Sequence, residues 1–164
     1  MSGRDVVRPN LSPSVLTAFA IAEEWKDLPG ERRMVAGLLH WLVRARWIGS
    51  ASRVAFEVPW RGRRIDLVTI NGRGHLNAFE FKLGGTRRAF EQAIYNSASV
   101  HRSFIVSGAR PTDANRGLAQ EHGIGVFIVN GSVKLFQRPP LRKPLTDLST
   151  PLRAKAIEWN GSGV

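Results

Sequence analysis

The strongest constraint on the fold comes from two segments of alternating apolar and polar residues joined by a tight turn. Residues 63–70 and 75–83 each show the period of two that is typical of a β-strand. Between them lies Asn71-Gly72-Arg73-Gly74, and Asn and Gly tolerate the positive φ angles that hairpin turns require. The sequence therefore predicts an antiparallel hairpin whose two strands lie side by side.

Helices and further strands are predicted on both sides of this hairpin. Before it we expect helices over 12–26 and 31–47 and a strand over 53–58 that ends at Pro59. After it we expect a helix from Thr86, its N-cap, to about residue 100, then a strand over 103–107, a helix over 111–121, and strands over 124–129 and 133–136. Two apolar strands that flank a helix predict a parallel pair. The expected class is α/β, a mixed sheet with an αβββαβ core and a further helix and strand, flanked by helices.

The length of 164 residues fits one domain. We expect an N-terminal tail over 1–11, a single domain over 12–137, and a basic, Pro-rich C-terminal arm over 138–164. The density of proline in this last segment favours an extended conformation of the arm.

Charge and cysteine usage narrow the classes of function. Lys and Arg number 24 against 13 Asp and Glu, a net charge of +11, which points to a polyanion such as nucleic acid; a surplus that serves only solubility is the alternative. The absence of cysteine excludes disulfide scaffolds, cysteine-ligated zinc sites and thiol nucleophiles. No apolar segment approaches a membrane span and no secretory signal is visible, so we expect a cytoplasmic protein, nucleoid-associated if prokaryotic, without a membrane partner.

Three charged residues are predicted to converge on the hairpin. Glu80 and Lys82 share one face of their strand, because side chains alternate along a strand and the intervening residues are apolar. Asp66 lies between Ile65 and Leu67 on the preceding strand, so it is expected to point away from these apolar neighbours. The hairpin would bring Asp66 beside Glu80 and Lys82.

Two carboxylates and an ammonium group in the middle of a sheet suit one kind of chemistry. The carboxylates would repel one another without a cation, and they match the oxygen ligands that Mg²⁺ prefers, with Mn²⁺ as an expected substitute. Such a cation can polarise a phosphodiester and favour deprotonation of water, while Lys82 can orient that water. The alternative is a salt-bridge ladder on an exposed face of the sheet.

Asp66 followed by Glu80-Phe81-Lys82, in the order helix, three strands, helix, strand, resembles the PD-(D/E)xK nuclease superfamily. The match covers roughly residues 31–129 and is similar to the RecB-like and resolvase-like branch, with Ile65 where the motif has Pro. The resemblance implies a restriction-endonuclease-like fold. It also implies that Asp66, Glu80 and the Phe81 carbonyl bind the metal and that Lys82 acts on the attacking water.

The same resemblance suggests further site residues on the helices. Many members carry a glutamate on the helix before the strands, and Glu31 fits as an additional metal ligand; its alternative role is a favourable charge at a helix start. The RecB-like branch carries a Gln and then a Tyr on the helix after the Lys, which Gln92 and Tyr95 match. The alternative for this pair is an ordinary solvated helix face.

Basic and aromatic residues flank the proposed site in sequence and are candidates for contacts with a nucleic acid backbone. Trp60, beside a strand end, is the candidate for base stacking. The basic candidates, to which Tyr95 is added, are Arg61, Arg63, Arg64, Arg87 and Arg88.

The favoured hypothesis is a metal-dependent endonuclease that hydrolyses phosphodiester bonds of double-stranded or branched DNA, with structure selectivity or weak sequence selectivity. The resemblance to small nucleases that dimerise adds the hypothesis of a homodimer. The alternatives are a non-catalytic DNA-binding module on the same fold, a nuclease directed at RNA, and a basic structural or ribosome-associated protein.

Overall fold

The computed structural model describes residues 10–84 and 86–159. None of the helices in this part of the chain is long and apolar enough to cross a membrane. The elements are the helices α1 (Pro13–Trp25), α2 (Val35–Arg44, preceded by a 3-10 turn over Glu31–Met34), α3 (Arg87–Ser97), α4 (Asp113–His122) and α5 (Thr146–Glu158), and the strands β1 (Arg53–Trp60), β2 (Arg63–Ile70), β3 (Leu76–Lys82), β4 (Arg102–Ser107), β5 (Gly125–Val129) and β6 (Val133–Gln137).

The six strands form one sheet in which the order in space is the order in sequence, β1-β2-β3-β4-β5-β6. The pairs β1/β2, β2/β3 and β5/β6 are antiparallel, whereas β3/β4 and β4/β5 are parallel and are connected through α3 and α4. The predicted hairpin and the predicted parallel pair are both confirmed. The mixed α/β class, with an αβββαβ core and a further helix and strand, is confirmed as well.

Capping side chains fix where helices begin, as α1 and α3 show. The Ser12 hydroxyl accepts a hydrogen bond from the Val15 N–H at 3.2 Å, so α1 starts at the next residue, Pro13. Thr86 accepts from the Ala89 N–H at 3.4 Å, which confirms the predicted N-cap of α3.

Helices cover both faces of the sheet and bury an apolar layer on each. On one face, α1 and α2 pack against an aromatic cluster in which the rings of Phe79 and Phe104 stack with centroids 4.8 Å apart. On the other face, α3 and α4 pack against Ile105 and Val126, while α5 covers the end of the sheet that contains β1. Burial on both faces explains why the strands in the middle of the sheet are almost wholly apolar.

Two expectations about proline are wrong. Pro59 does not end β1, because the strand continues to Trp60 and Pro59 pairs with Arg64. The strand β1 lies at the edge of the sheet, where a residue without an N–H can face outward without breaking the ladder.

The predicted extended arm is also corrected. Residues 138–145 lack regular structure, but Thr146–Glu158 form α5 despite an internal proline, Pro151. Leu152 and Ala156 are buried one turn apart against the sheet, and the Trp159 indole N–H donates to the Phe56 carbonyl at 2.8 Å. Burial of this apolar stripe outweighs the hydrogen bond lost at an exposed proline.

Gly125 at the start of β5 gives a prediction about packing. A Cβ at this position would overlap the Phe104 ring and stand 2.7 Å from Pro139. We expect Gly125→Ala to lower the free energy of unfolding by about 1–3 kcal/mol, measured by urea denaturation, because the buried ring and the proline must move.

Gly117 provides the matched control for this substitution. It lies inside α4, and a Cβ there would meet no atom within 4 Å. Gly117→Ala is expected to raise stability by about 0.5–1 kcal/mol, because alanine is the better helix former. Equal effects of the two substitutions would contradict the close packing at Gly125.

Candidate active site

The site begins where strands β2 and β3 separate. Their ladder runs from Ile70 and Leu76 to Leu67 and Phe79, and it ends there. Beyond this point Asp66 and Glu80 would be opposite one another in a continued ladder, but no pairing joins them. The strands therefore form a fork, and the two carboxylates lie at its base.

Asp66 takes the place of a backbone partner inside the fork. Its Oδ2 accepts a hydrogen bond from the Phe81 N–H at 2.8 Å, which satisfies a donor that the diverging strands leave unpaired. Residue 66 also lacks a ladder partner in β1, although the flanking pairs Phe56–Leu67 and Val58–Ile65 are present. The side chain is thus tied to β3 across the fork.

The direction of Asp66 arises differently from the prediction. Simple alternation places Ile65 and Leu67 on one face, but Leu67 packs with α1 and α2 whereas Ile65 packs with the cluster under α5. The opposite strand changes face at the same level, since Glu57 has a left-handed φ of 49°. Asp66 and Glu57 lie at this crossover, so the predicted convergence is present although the alternation argument for it is wrong.

Glu80 is buried on the side of the sheet that faces α3. It is only 4% exposed, and its Oε1 accepts a hydrogen bond from the Asn96 Nδ2 at 2.9 Å. Sequence reasoning missed Asn96, which is itself buried. A signal was available, because Asn96 continues the inward stripe of Ala89 and Ala93 and is the one strongly polar residue on it.

Burial raises the proton affinity of both carboxyl groups, and the charge of Asp66 adds to this effect in Glu80. Burial first, and then the charge of Asp66, raise the pKa of Glu80 from its ordinary 4.5 to about 8. Burial also raises the pKa of Asp66, against the opposing effects of the Phe81 N–H, a hydrogen bond with Glu80 and the charge of Lys82. At neutral pH the fork therefore holds either a shared proton or a cation.

Lys82 and Glu31 bring one positive and one negative charge to the mouth of the fork. The Lys82 Nζ lies 4.0 Å from the Glu31 Oε1, and both side chains are about two-fifths exposed, at 39% and 44%. A cleft of about 130 Å³ opens beside them, lined by residues that include Glu31, Asp66, Phe81 and Lys82. The structure thus brings together four of the residues that the sequence singled out.

Four further residues, which were not selected from the sequence, line this cleft: Trp25, Arg32, Val35 and Glu57. The Arg32 guanidinium donates to the Glu57 Oε1 at 2.8 Å and lies over the Trp25 ring, 4.8 Å from its centroid. Arg64 approaches the other Glu57 oxygen at 4.0 Å. Glu57 thus holds two guanidinium groups at the rim of the cleft. The sequence did not indicate this role, because the strand is irregular at Glu57 and simple alternation does not give the direction of its side chain.

Most of the remaining predicted residues lie around a second hollow, on the α3 side. Gln92 and Tyr95 line it together with Arg63 and Arg88, and no hydrogen bond joins Gln92 to Asp66 or Glu80. The guanidinium carbons of Arg63 and Arg61 lie 4.5 and 5.8 Å from the Tyr95 ring centroid. Arg61 stands in the two-residue turn between β1 and β2, where its φ is positive.

Two of the candidates for nucleic acid contact have other partners in the structure. The Arg87 side chain pairs with Glu91 one helical turn away at 3.1 Å, on the exposed face of α3. Trp60 is 7% exposed and its indole N–H donates to the Ser99 hydroxyl at 3.2 Å. The prediction that Trp60 stacks on bases is wrong, because its ring is part of the core.

The donor set of the fork fits a hard divalent cation. In the part of the chain that the structure describes, no group of three or more His, Cys, Asp or Glu side chains stands ready to enclose a metal. Two converging carboxylates with a backbone carbonyl beside them nevertheless suit Mg²⁺, which keeps several waters and commonly takes one or two protein carboxylates. Burial and then the charge of Asp66 raise the pKa of Glu80, and a bound cation would offset both effects.

The fold is shared with a solved structure of SPO1766, a protein of unknown function from Silicibacter pomeroyi. The two chains are 18% identical with a TM-score of 0.57, over 80% of this chain and 86% of that one. Weaker similarities are to a repair endonuclease from Pyrococcus abyssi (16% identity, TM-score 0.45, 58% of this chain and 46% of that one) and to Can2 from Sulfobacillus thermosulfidooxidans in complex with cyclic tetra-adenylate (14% identity, TM-score 0.41, 80% and 39%). No protein-family model matches the sequence, and neither does any curated protein.

Proposed function

We propose that this protein is a metal-dependent nuclease of the PD-(D/E)xK type that hydrolyses phosphodiester bonds of DNA. The observation that carries the proposal is the pair of carboxylates, half-buried Asp66 and buried Glu80, held in a fork of the sheet beside Lys82. A carboxyl pair that serves only stability would not be placed where one member must keep a proton at neutral pH.

The residues of the fork have different proposed roles, which follow from their positions. Asp66, Glu80 and the Phe81 carbonyl would hold Mg²⁺, or Mn²⁺ in its place, with Glu31 at the open side. When bound, the cation supplies Lewis-acid polarisation of a phosphoryl oxygen and favours deprotonation of water. Asn96 and the Phe81 N–H keep the two carboxylates in place, each through one hydrogen bond.

Lys82 lies on the solvent side of the carboxylate pair. Its ammonium lowers the pKa of both carboxyls, so it is close enough to act on charges within the fork. We assign to it the orientation of the attacking water and the stabilisation of negative charge on the phosphorus centre in the transition state.

Basic side chains on both sides of the fork suit the backbone of a double-stranded or branched DNA. Arg64 and Arg32 stand at the rim of the cleft, while Arg61, Arg63 and Arg88 stand around the hollow beside Tyr95. Such contacts give affinity without reading sequence, in keeping with an endonuclease of structural or weak sequence preference. An arrangement as a homodimer and a cytoplasmic location complete the proposal.

The test is a cleavage assay with wild type and Lys82→Ala in Mg²⁺, in Mn²⁺ and in excess chelator. Its substrates are supercoiled plasmid, linear duplex, single strand, four-way junction, flap and RNA. We expect cutting of a DNA substrate by wild type that requires the metal, and a fall of about 100-fold or more in Lys82→Ala, because the water loses its orienting group.

Lys155→Ala is the matched control, since this lysine is exposed on α5 and lines neither the cleft nor the hollow beside Tyr95. Its cleavage rate should equal that of wild type. Cutting of RNA alone would redirect the proposal to an RNA nuclease. Tight, salt-sensitive binding of DNA without cutting of any substrate would replace it by a non-catalytic binding module.

A further inference from the structure

A second group of basic side chains, four arginines and two histidines, lies at the end of the sheet that is remote from the fork. His75 precedes the start of β3 and Arg102 starts β4, whereas Lys82 ends β3 at the fork. With a rise of about 3.3 Å per residue, β3 separates the two ends by about 20 Å. We call this group the distal basic cluster; its members are Arg73, His75, His101, Arg102, Arg138 and Arg153.

The cluster is held together by contacts from four parts of the chain. The rings of His75 and His101 lie 4.8 Å apart, and the His101 Nδ1 accepts from the Leu76 N–H at 3.0 Å, which fixes the ring. The guanidinium carbons of Arg102 and Arg138 lie 5.3 and 5.9 Å from the Trp47 ring centroid.

The last helix completes the cluster. Arg153 of α5 reaches the hairpin turn, where its Nη1 is 3.4 Å from the position that a Cβ would take at Gly74. Arg73 belongs to the same turn and is exposed. Guanidinium groups from the hairpin, α5, β4 and the segment after β6 thus meet on one surface.

No carboxylate neutralises this surface in the described part of the chain. Burial and then neighbouring cations lower the pKa of His75, His101 and Arg102, and no acidic side chain contributes to any of the three shifts. The ion pairs of the described residues involve Lys26, Arg32, Arg64, Lys82 and Arg87, none of which belongs to the cluster. Like charges are therefore kept together at a cost to stability.

We propose that the distal basic cluster is a docking surface for the phosphate backbone of a nucleic acid, separate from the fork. Its four longest cations are all arginine, whose planar guanidinium matches phosphate oxygens, and Trp47 holds two of them in a fixed orientation. The separation of about 20 Å corresponds to about six base pairs of a duplex, so a longer nucleic acid is required to contact both ends.

The experiment measures binding without cleavage, using fluorescence anisotropy of a labelled duplex of about 30 base pairs in excess chelator over a range of salt. The double variant Arg73→Gln, Arg153→Gln is compared with Arg110→Gln, Arg116→Gln, which removes the same charge from a surface around Phe136. We expect the cluster variant to bind about tenfold more weakly and its salt slope to fall by about 2, while the control changes little.

Equal losses in the two double variants would overturn the proposal, because they would show an effect of net charge alone. Unchanged duplex binding in the cluster variant, with lost binding to phosphatidylserine vesicles, would overturn it in favour of a membrane surface. Arg73→Gln alone, in an exposed turn, serves as the second variant if the double variant melts at a lower temperature. The binding assay contains chelator and no metal, so its result does not depend on cleavage. Binding that requires the distal basic cluster supports the docking surface even if the protein cleaves no substrate. Cleavage by a protein whose binding does not require the cluster supports only the proposed nuclease function.

Discussion

Asp66→Asn is expected to abolish metal-dependent cleavage without unfolding the protein. An asparagine oxygen can still accept the hydrogen bond from the Phe81 N–H, which is 2.8 Å from the Asp66 Oδ2, so the fork should keep its shape. The substitution removes one of the two negative charges that would hold the cation. We expect the single-turnover cleavage rate to fall by about a thousandfold or more, equivalent to about 4 kcal/mol of transition-state stabilisation.

Asp113→Asn is the control for this prediction, since Asp113 is exposed at the start of α4. It removes the same charge and should leave the cleavage rate unchanged. Binding of DNA in chelator should stay within about twofold of wild type in both variants, because the basic side chains are intact. A cleavage rate in Asp66→Asn close to that of wild type would remove Asp66 from the catalytic set and with it the assignment to the superfamily.

Glu80→Gln is expected to stabilise the metal-free protein at high pH. Since the pKa of Glu80 is raised from 4.5 to about 8, the folded protein retains a proton between these pH values that the unfolded chain has released. Wild-type stability therefore falls as the pH rises through this interval. The glutamine carries no charge, accepts from Asn96 and donates to Asp66, so its variant should escape this loss.

The size of the effect follows from the shift. Each pKa unit corresponds to about 1.4 kcal/mol, so the variant should gain on the order of a few kcal/mol at pH 9 and almost nothing at pH 4. In a domain of this size the gain raises the melting temperature by about 5–10 °C.

Thermal melting at pH 4, 7 and 9 in chelator measures this gain, with Glu24→Gln, exposed on α1, as the matched control. Addition of Mg²⁺ at pH 9 should raise the melting temperature of wild type and leave that of Glu80→Gln nearly unchanged, because binding requires both carboxylates. A pH-independent difference between the two proteins would contradict the raised pKa.

Local signals in the sequence were sufficient for most of the fold. The turn Asn71-Gly72-Arg73-Gly74 places β2 and β3, and the hydroxyl of Thr86 places the start of α3, since both depend on residues adjacent in the chain. The parallel pair followed from apolar strands around a helix. α5 was missed because its stripe of Leu152 and Ala156 becomes visible only when the sheet it covers is known.

The site was predictable as a set of residues but not as a geometry. Asp66, Glu80 and Lys82 were identified from spacing. The strands change face at Glu57 and Asp66, however, and a pattern of alternating apolar and polar residues does not reveal such an irregularity. Asn96 was overlooked in favour of Gln92, although one helical turn separates them, because helix phase is uncertain until a buried partner such as Glu80 fixes it. Trp60 was misjudged because its surroundings come from distant segments.

The agreement between strand order and chain order bears on how the protein is made. Each strand of β1-β2-β3-β4-β5-β6 can add to its predecessor as the nascent chain leaves the ribosome, so the sheet needs no strand that is still to be synthesised. The apolar surface around β1 is the exception, because it waits for α5, whose neighbour Trp159 bonds to Phe56, 103 residues earlier. During synthesis β1 is completed first, but its apolar surface stays uncovered until α5 is made. We therefore expect β1 to be the strand that needs protection by a chaperone for the longest time.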